Sequence, residues 1–415
     1  MSPNLEALAH DTLCRPTRDE GVVLRQCVNE LDRQTDALVL SGGGARAAYQ
    51  VGCLRHIARA MPDYRPSILT GVSAGAINAV HLASYRGDWA DSVEALRNLW
   101  LSLRTDQVYY TDLRHVSKRV LMWGLRLLSG GNLGQSDLRG MVDSAPLEAF
   151  LRRALPLDGD RVIGIGANVE EKLLDALAII STNYTTGRSF AWIEGGEQTD
   201  WTRGQIAAQA TEMTLQHILA SAALPLFFPA VSLQSAWHGD GGVRLTAPLS
   251  PAMHLGAARI LAVSPRSKPV VGAPAEENEP YPSPAQIAGV MLNAVFLDLL
   301  DFDALQMNRI NHLVSRLPDG HQGDFRRVDV MVLRPREDLG KLAAEHELDL
   351  PKAFRFFERG FANRGDKRSA DALSMVIFEP EYLKRLIRLG EEDAAERSEE
   401  IVAFLRGEAR DIPVW

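Results

Sequence analysis

The sequence predicts an α/β protein with a parallel sheet covered by helices, because strand and helix patterns alternate near its beginning. Residues 37–40 form a short apolar run that ends at three glycines, and residues 45–61 are compatible with a helix. The same order then repeats, since residues 67–70 have the pattern of a strand and residues 74–84 favour a helix after a glycine turn. Two successive strand–turn–helix units are typical of a parallel sheet.

Apolar runs and helical patterns continue to alternate as far as residue 335. We expect one domain at 36–335, between a charged, helical or partly ordered N-terminal extension at 1–35 and a C-terminal helical extension at 336–415. The acidic run 391–400 is expected to be an exposed helix face. The remaining strand candidates are 161–168, 176–181, 230–233, 259–263 and 328–333; the helix candidates are 88–105, 202–221 and 284–316; the best linker or long-loop candidate is 265–285.

The composition argues against several functional classes. The chain has 53 acidic and 45 basic side chains and a net charge of −8, which argues against a dedicated nucleic-acid binder. Cys14, Cys27 and Cys53 include no C-x-x-C pair, so we expect no disulfide framework, no zinc site and a reducing compartment. The N-terminus lacks an apolar signal core, and no run of about 18 apolar residues is present. These features predict a cytoplasmic protein able to associate with membranes from the surface.

The pentapeptide Gly71-Val72-Ser73-Ala74-Gly75 lies between a predicted strand and a predicted helix. A serine on such a turn is pushed out of the backbone path, and the glycines permit the strained conformation. The N–H groups at the start of the helix favour developing negative charge. G-x-S-x-G also occurs in ordinary turns, but its position predicts that Ser73 is a nucleophile.

Three glycines, Gly42, Gly43 and Gly44, follow the first strand and precede Ala45 and Arg46. Their unobstructed N–H groups suit an oxyanion hole. Phosphate cradling is the rival interpretation, but neither Gly-Lys-Ser/Thr nor a clean G-x-G-x-x-G is present.

Asp240 lies in the segment His238-Gly239-Asp240-Gly241-Gly242. In a partly dry site its carboxylate could accept the Ser73 proton directly, because burial raises the pKa of a carboxyl. An Asp-Gly-Gly turn between strands is the plain alternative. A Ser-His-Asp triad is also open on the residues alone, with His238 and His254 as the candidates.

Together and in this order, these segments resemble the patatin-like phospholipase family, over roughly residues 36–265. The resemblance implies a three-layer α/β/α sandwich with a mainly parallel sheet and a Ser73–Asp240 dyad without histidine. It also implies that Gly42, Gly43 and Gly44, with the N–H of Ala74, hold the oxyanion, and it matches Arg46 to the family's basic residue. Ala47 departs from the family's usual glycine but removes no N–H donor. The matching stretches are 41–56, 70–78, 220–231 and 239–257.

The expected activity is that of a lipid acyl hydrolase resembling phospholipase A or lysophospholipase, acting on phospholipids or lysophospholipids through an acyl-serine. An acyltransferase using the same acyl-enzyme and a catalytically weak lipid-binding protein are the alternatives. Neither a cofactor nor a metal is expected, since Asp298, Asp301 and Asp303 fit a solvated or salt-bridged helix face.

Residues 113–128 form a basic amphipathic pattern, LRHVSKRVLMWGLRLL. On a helix, Arg114, Lys118 and Arg119 fall on one side and Trp123 falls on the opposite, apolar side. Such a helix can lie on an anionic membrane surface. A helix whose apolar side packs on the core is the alternative.

Overall fold

A computed structural model describes residues 35–110, 140–197, 199–267, 299–318, 325–345 and 374–409, with isolated positions at 129, 287, 290–291, 293–294 and 323. The described residues from Thr35 onward belong to one compact unit. The predicted N-terminal extension, the basic segment 113–128 and most of the linker 265–285 lie outside the described residues.

Strands and helices alternate along the described chain, as the sequence predicts. The strands are β1 (Asp36–Leu40), β2 (Ile68–Val72), β3 (Leu157–Asp158), β4 (Arg161–Val162), β5 (Ala176–Asn183), β6 (Arg188–Gly195), β7 (Trp201–Arg203), β8 (Ile206–Ala210), β9 (Val231–Leu233), β10 (Ala236–Asp240), β11 (Arg259–Val263) and β12 (Asp329–Leu333). The helices are α1 (Ala48–Ala60), α2 (Ala74–Ser84), α3 (Trp89–Ser102), α4 (Thr105–Val108), α5 (Ala145–Ala154), α6 (Ile165–Glu170), α7 (Leu215–Ser221), α8 (Ser250–His254), α9 (Leu299–Val314), α10 (Leu339–Glu345), α11 (Pro380–Glu396) and α12 (Ser398–Leu405).

The main sheet has the strand order β12-β11-β1-β2-β5-β6-β8-β7, and β10 pairs with β5 and β9. The five strands from β12 to β5 are parallel, whereas β6 and β10 run antiparallel to β5. Leu40 at the end of β1 lies opposite Gly71 in β2. This register brings the glycine loop after β1 beside the serine turn after β2.

Helices cover both faces of the sheet. In β1, Leu38 and Leu40 belong to the core shared with α1 and α2, whereas Ala37 and Val39 face the opposite core with α8 and α9. All five β1 residues are buried, as expected for a parallel strand covered on both faces. The prediction of an α/β/α sandwich with a mainly parallel sheet is confirmed.

Two predicted elements are wrong. The strand expected at 161–168 ends at Val162, because Gly164 (φ 99°) turns the chain into α6. The helix expected at 202–221 begins only at Leu215, since the preceding residues form β7 and β8 around Gly204 (φ 55°). Glycine in this left-handed region is typical of hairpin turns.

The described residues beyond 336 contribute to the same core, because α11 packs across α1. The two helices approach closely at glycines, where a methyl group on Gly52 would overlap the Ile387 carbonyl and one on Gly390 would overlap the Tyr49 carbonyl. Asp393 is buried and accepts a hydrogen bond from the Tyr49 hydroxyl (3.1 Å). The prediction that 391–400 is an exposed face is therefore wrong at Asp393, while the domain boundary at 335/336 stays a prediction.

The variant Gly390→Ala tests this crossing. We expect it to lower the free energy of unfolding by about 1–3 kcal/mol, because the helices must separate to admit the methyl group. Gly166→Ala is the matched control, since a methyl at that helical glycine meets its nearest neighbour, a Glu194 oxygen, at 3.6 Å. Urea unfolding of both variants measures the difference, and equal stability of the two would contradict the close packing.

Candidate active site

Ser73 lies on the sharp turn between β2 and α2, with φ 56° and ψ −128°. A non-glycine residue at positive φ is strained, so the surrounding packing must hold it there. A methyl group on Gly71 would overlap the Gly75 carbonyl, and one on Gly75 would approach the Leu40 carbonyl too closely. The flanking glycines therefore allow α2 to start close to the sheet, and Ser73 lies directly after the carboxyl end of β2.

Ser221, at the end of α7, is a site residue that sequence analysis missed. Its fully buried hydroxyl oxygen accepts a hydrogen bond from the Ser73 N–H (3.0 Å). This bond helps to hold the strained turn in place. Ser221 lies within the stretch 220–231, but no local pattern distinguishes it from the neighbouring small residues.

Asp240 ends β10, where it lies opposite Ser181 in β5, and it is fully buried. Its Oδ1 accepts a hydrogen bond from the Gly242 N–H (2.9 Å), while Oδ2 has no well-formed hydrogen bond among the described residues. Burial raises the pKa of Asp240 to about 7, and interactions with the Ser73 hydroxyl and the Gly242 N–H oppose that rise. The Ser73 hydroxyl therefore faces this carboxyl closely enough to influence its charge.

The histidine candidates make other contacts. His238 is buried, with Nδ1 2.9 Å from the Ser181 hydroxyl and Nε2 3.2 Å from the Asn183 amide nitrogen. Burial lowers the pKa of His238 to about 4, so its ring is neutral near pH 7. His254 lies in α8 and packs against Trp201, with ring centroids 4.3 Å apart. Among the residues that the structure describes, neither histidine forms a hydrogen bond with Ser73.

The glycine loop lies directly against Ser73. A methyl group on Gly42 would lie 3.0 Å from the Ser73 Cβ, while Gly43 (φ 150°) and Gly44 (φ 56°) adopt conformations that favour glycine. Among the residues that the structure describes, no acceptor takes a hydrogen bond from the N–H of Gly43, Gly44 or Ala74. Such amides beside a serine hydroxyl are the donors that an oxyanion hole needs.

Arg46 is buried beyond the loop, and its Nε donates a hydrogen bond to the Ser374 hydroxyl (2.6 Å). This contact joins the glycine loop to a segment near the C-terminus. A direct contact between Arg46 and substrate stays a prediction.

The acidic residues of α9 also have structural partners. Asp301 pairs with Arg334 (2.8 Å), and Asp303 accepts a hydrogen bond from the Leu249 N–H (2.8 Å). Asp298 lies outside the described residues. No group of His, Cys, Asp and Glu within the described ranges has the arrangement of a metal site.

An apolar pocket opens beside Ser73 and encloses about 830 Å³, part of it open to solvent. Among the described lining residues, only Ser73 has a hydroxyl group. The other walls are almost wholly hydrocarbon and aromatic. Such walls suit a hydrocarbon chain. The lining residues are Gly43, Gly44, Ser73, Ala74, Ile77, Leu99, Trp100, Leu103, Val108, Leu147, Phe150, Leu151, Ala222, Leu224, Phe227, Phe228, Met375, Val376 and Phe378.

The segments that build this site match a known family. A family model described as Patatin-like phospholipase matches residues 38–253, more than half of the chain. The chain belongs to the patatin-like phospholipase family. The match spans the glycine loop, Ser73 and Asp240, and ends well before Ser374.

Two solved proteins are similar to this patatin-like chain at low identity. VipD from Legionella pneumophila is 11% identical with a TM-score of 0.34, and 88% of this chain covers 67% of VipD. Human GIVD cytosolic phospholipase A2, in complex with methyl gamma-linolenyl fluorophosphonate and terbium chloride, is 15% identical with a TM-score of 0.44. In that comparison 93% of this chain covers 62% of the human chain, which is less than two thirds of its length. A comparison with curated proteins gave no match.

The raised pKa of Asp240 predicts a pH-dependent cost to the stability of this patatin-like protein. Between pH 4 and pH 7 the folded protein holds a proton that the unfolded chain has lost, so stability falls as pH rises through this window. At pH 8 the cost reaches up to roughly 4 kcal/mol. Asp240→Asn is therefore expected to stabilise the protein, and to do so more at pH 8 than at pH 5.

Urea unfolding at the two pH values measures this difference. Ser73→Ala is the control, because it keeps the buried carboxyl. Its stability should fall between the two pH values at least as much as that of the wild type, since loss of the hydroxyl raises the pKa of Asp240 further. Equal pH dependence in the wild type and Asp240→Asn would show that Asp240 titrates as an ordinary aspartate.

Proposed function

We propose that this protein is a lipid acyl hydrolase that cleaves the carboxylic esters of phospholipids or lysophospholipids. Ser73 is the nucleophile and Asp240 the general base. The observation that carries the proposal is a fully buried carboxyl, with a pKa raised to about 7, facing a serine held at positive φ. A carboxylate in ordinary solvation is too weak a base for this role near neutral pH, whereas burial increases its proton affinity.

In the first half of the proposed reaction, the Ser73 Oγ attacks the ester carbonyl carbon while its proton passes to Asp240. The oxyanion of the tetrahedral intermediate accepts hydrogen bonds from the N–H groups of the glycine loop and of Ala74. The intermediate collapses by breaking the bond to the alcohol oxygen, which receives the proton from Asp240. The products of this half are an acyl-Ser73 and the released alcohol.

In the second half, water replaces the alcohol. Asp240 takes a proton from the water as its oxygen attacks the acyl carbonyl carbon, and the same amides hold the oxyanion. Collapse breaks the bond to Ser73 Oγ, which takes the proton back. The fatty acid leaves and both side chains return to their starting states.

The pocket supports a lipid acyl group as the substrate. Its apolar walls begin at Ser73, so a hydrocarbon chain held there places its carboxyl ester at the nucleophile. No described helix is long and apolar enough to cross a membrane. Contact with an anionic membrane surface through 113–128 is a separate proposal, because that segment lies outside the described residues.

Product analysis tests the proposed function. Mixed vesicles of phospholipid and lysophospholipid are incubated with the protein, and free fatty acids and lysolipids are measured by mass spectrometry. We expect Ser73→Ala and Asp240→Asn each to lower the rate at least about 100-fold. Ser102→Ala and Asp158→Asn change exposed residues of the same types and should keep wild-type rates.

The products also separate the alternatives. Transfer of the acyl group to an added alcohol without release of fatty acid would assign an acyltransferase. Vesicle binding without any product, and without labelling of Ser73 by a fluorophosphonate, would assign a lipid-binding protein.

The pH dependence of kcat/KM tests the base. Because the base must be ionised, kcat/KM is expected to rise about tenfold per pH unit below pH 7 and to level off above it. His238→Asn should keep this midpoint, since the ring contacts Ser181 and Asn183. A midpoint near 4, or one that moves with His238→Asn, would indicate a different base.

A further inference from the structure

Residues 374–378, which we call the C-terminal strap, lie along the pocket although they are more than 100 residues beyond the end of the family match at 253. Met375, Val376 and Phe378 line the pocket together with Ser73. Ile377, between them, is buried but does not line it. The strap therefore presents Met375, Val376 and Phe378 to the pocket and Ile377 to the hydrophobic core.

The first end of the strap is fixed to the glycine loop. The Met375 carbonyl accepts a hydrogen bond from the Ala45 N–H (2.8 Å), and the Ser374 hydroxyl accepts one from Arg46 Nε (2.6 Å). A methyl group on Gly44 would overlap the Met375 carbonyl. Met375 therefore lies beside the glycine loop, where the proposed mechanism places the ester.

The second end of the strap is fixed at α4. The Phe378 N–H donates a hydrogen bond to the Thr105 hydroxyl (3.2 Å), and the Tyr109 hydroxyl donates one to the Val376 carbonyl (2.5 Å). Tyr109 also packs edge-on against Phe227, another residue that lines the pocket, with ring centroids 5.2 Å apart. The strap thus follows the pocket from the glycine loop toward α4.

We infer that the C-terminal strap determines the length of the acyl chain that the pocket accepts. Met375 lies against the glycine loop beside Ser73, whereas Phe378, three residues and at most about 10 Å further along the strap, is held at α4. A chain that starts at Ser73 and follows the strap therefore passes Met375 before it reaches Phe378. Each methylene that finds apolar contact contributes roughly a fourfold gain in binding. The inference rests on the proposed function for its catalytic readout, but not for its binding readout.

The catalytic readout is kcat/KM for p-nitrophenyl esters with acyl chains of four, eight, twelve and sixteen carbons. Val376→Trp fills the pocket and is expected to lower kcat/KM for the two longest esters about tenfold relative to the shortest. Phe378→Ala enlarges the pocket at the end of the strap that is held at α4 and should shift the preference toward longer chains. Ile377→Ala is the matched control, because it removes a neighbouring buried side chain that does not line the pocket; it should lower the melting temperature and leave the chain-length profile unchanged.

The binding readout uses Ser73→Ala protein carrying each strap substitution. Fatty acids of the same four lengths displace a fluorescent fatty acid, and the same shifts in chain-length preference are expected. If the wild type hydrolyses esters through Ser73 but the strap variants keep its profile, the strap inference is wrong and the proposed function stands. If no ester is hydrolysed yet displacement shifts with the strap variants, the proposed function is wrong and the inference stands. Unchanged profiles in both readouts would overturn the inference.

Discussion

The site depends on one carboxyl group that is removed from water without full compensation. Asp240 is fully buried, and among the described residues its carboxyl accepts one well-formed hydrogen bond, from the Gly242 N–H, so its charged form is disfavoured in the folded protein. A positive charge beside the carboxyl would cancel this effect. The Ser73 hydroxyl, which is uncharged, opposes it only in part. The same burial that costs stability supplies the proton affinity that activation of a serine requires.

Strained and crowded backbone brings Ser73, the proposed nucleophile, to that carboxyl. The parallel register of β1 and β2 places the glycine loop and the serine turn side by side, and Ser221 holds the turn through the Ser73 N–H. Glycines permit each close approach, from Gly42 against Ser73 to Gly44 against Met375. The surrounding α/β/α core holds these conformations, because apolar burial on both faces of the sheet offsets local strain.

The elements with strong local signals were predicted well from the sequence. The strand Arg259–Val263 and the helix Ala74–Ser84 have the predicted bounds, since a compact apolar run and a glycine turn mark their ends. The β7–β8 hairpin was predicted as a helix because short runs of small apolar residues fit either period. Ser221 and the contact of Arg46 with Ser374 could not be predicted, because they join residues that the chain alone does not place together.

The most direct test of this account is the titration of the Asp240 carboxyl itself. Carbon-13 NMR of protein with labelled aspartate, compared with Asp240→Asn, identifies its signal and gives its midpoint. We expect a midpoint of about pH 7 that moves upward in Ser73→Ala, because the serine hydroxyl lowers the pKa of the carboxyl it faces. A midpoint near 4, or one that Ser73→Ala leaves unchanged, would contradict activation of Ser73 by a buried carboxylate.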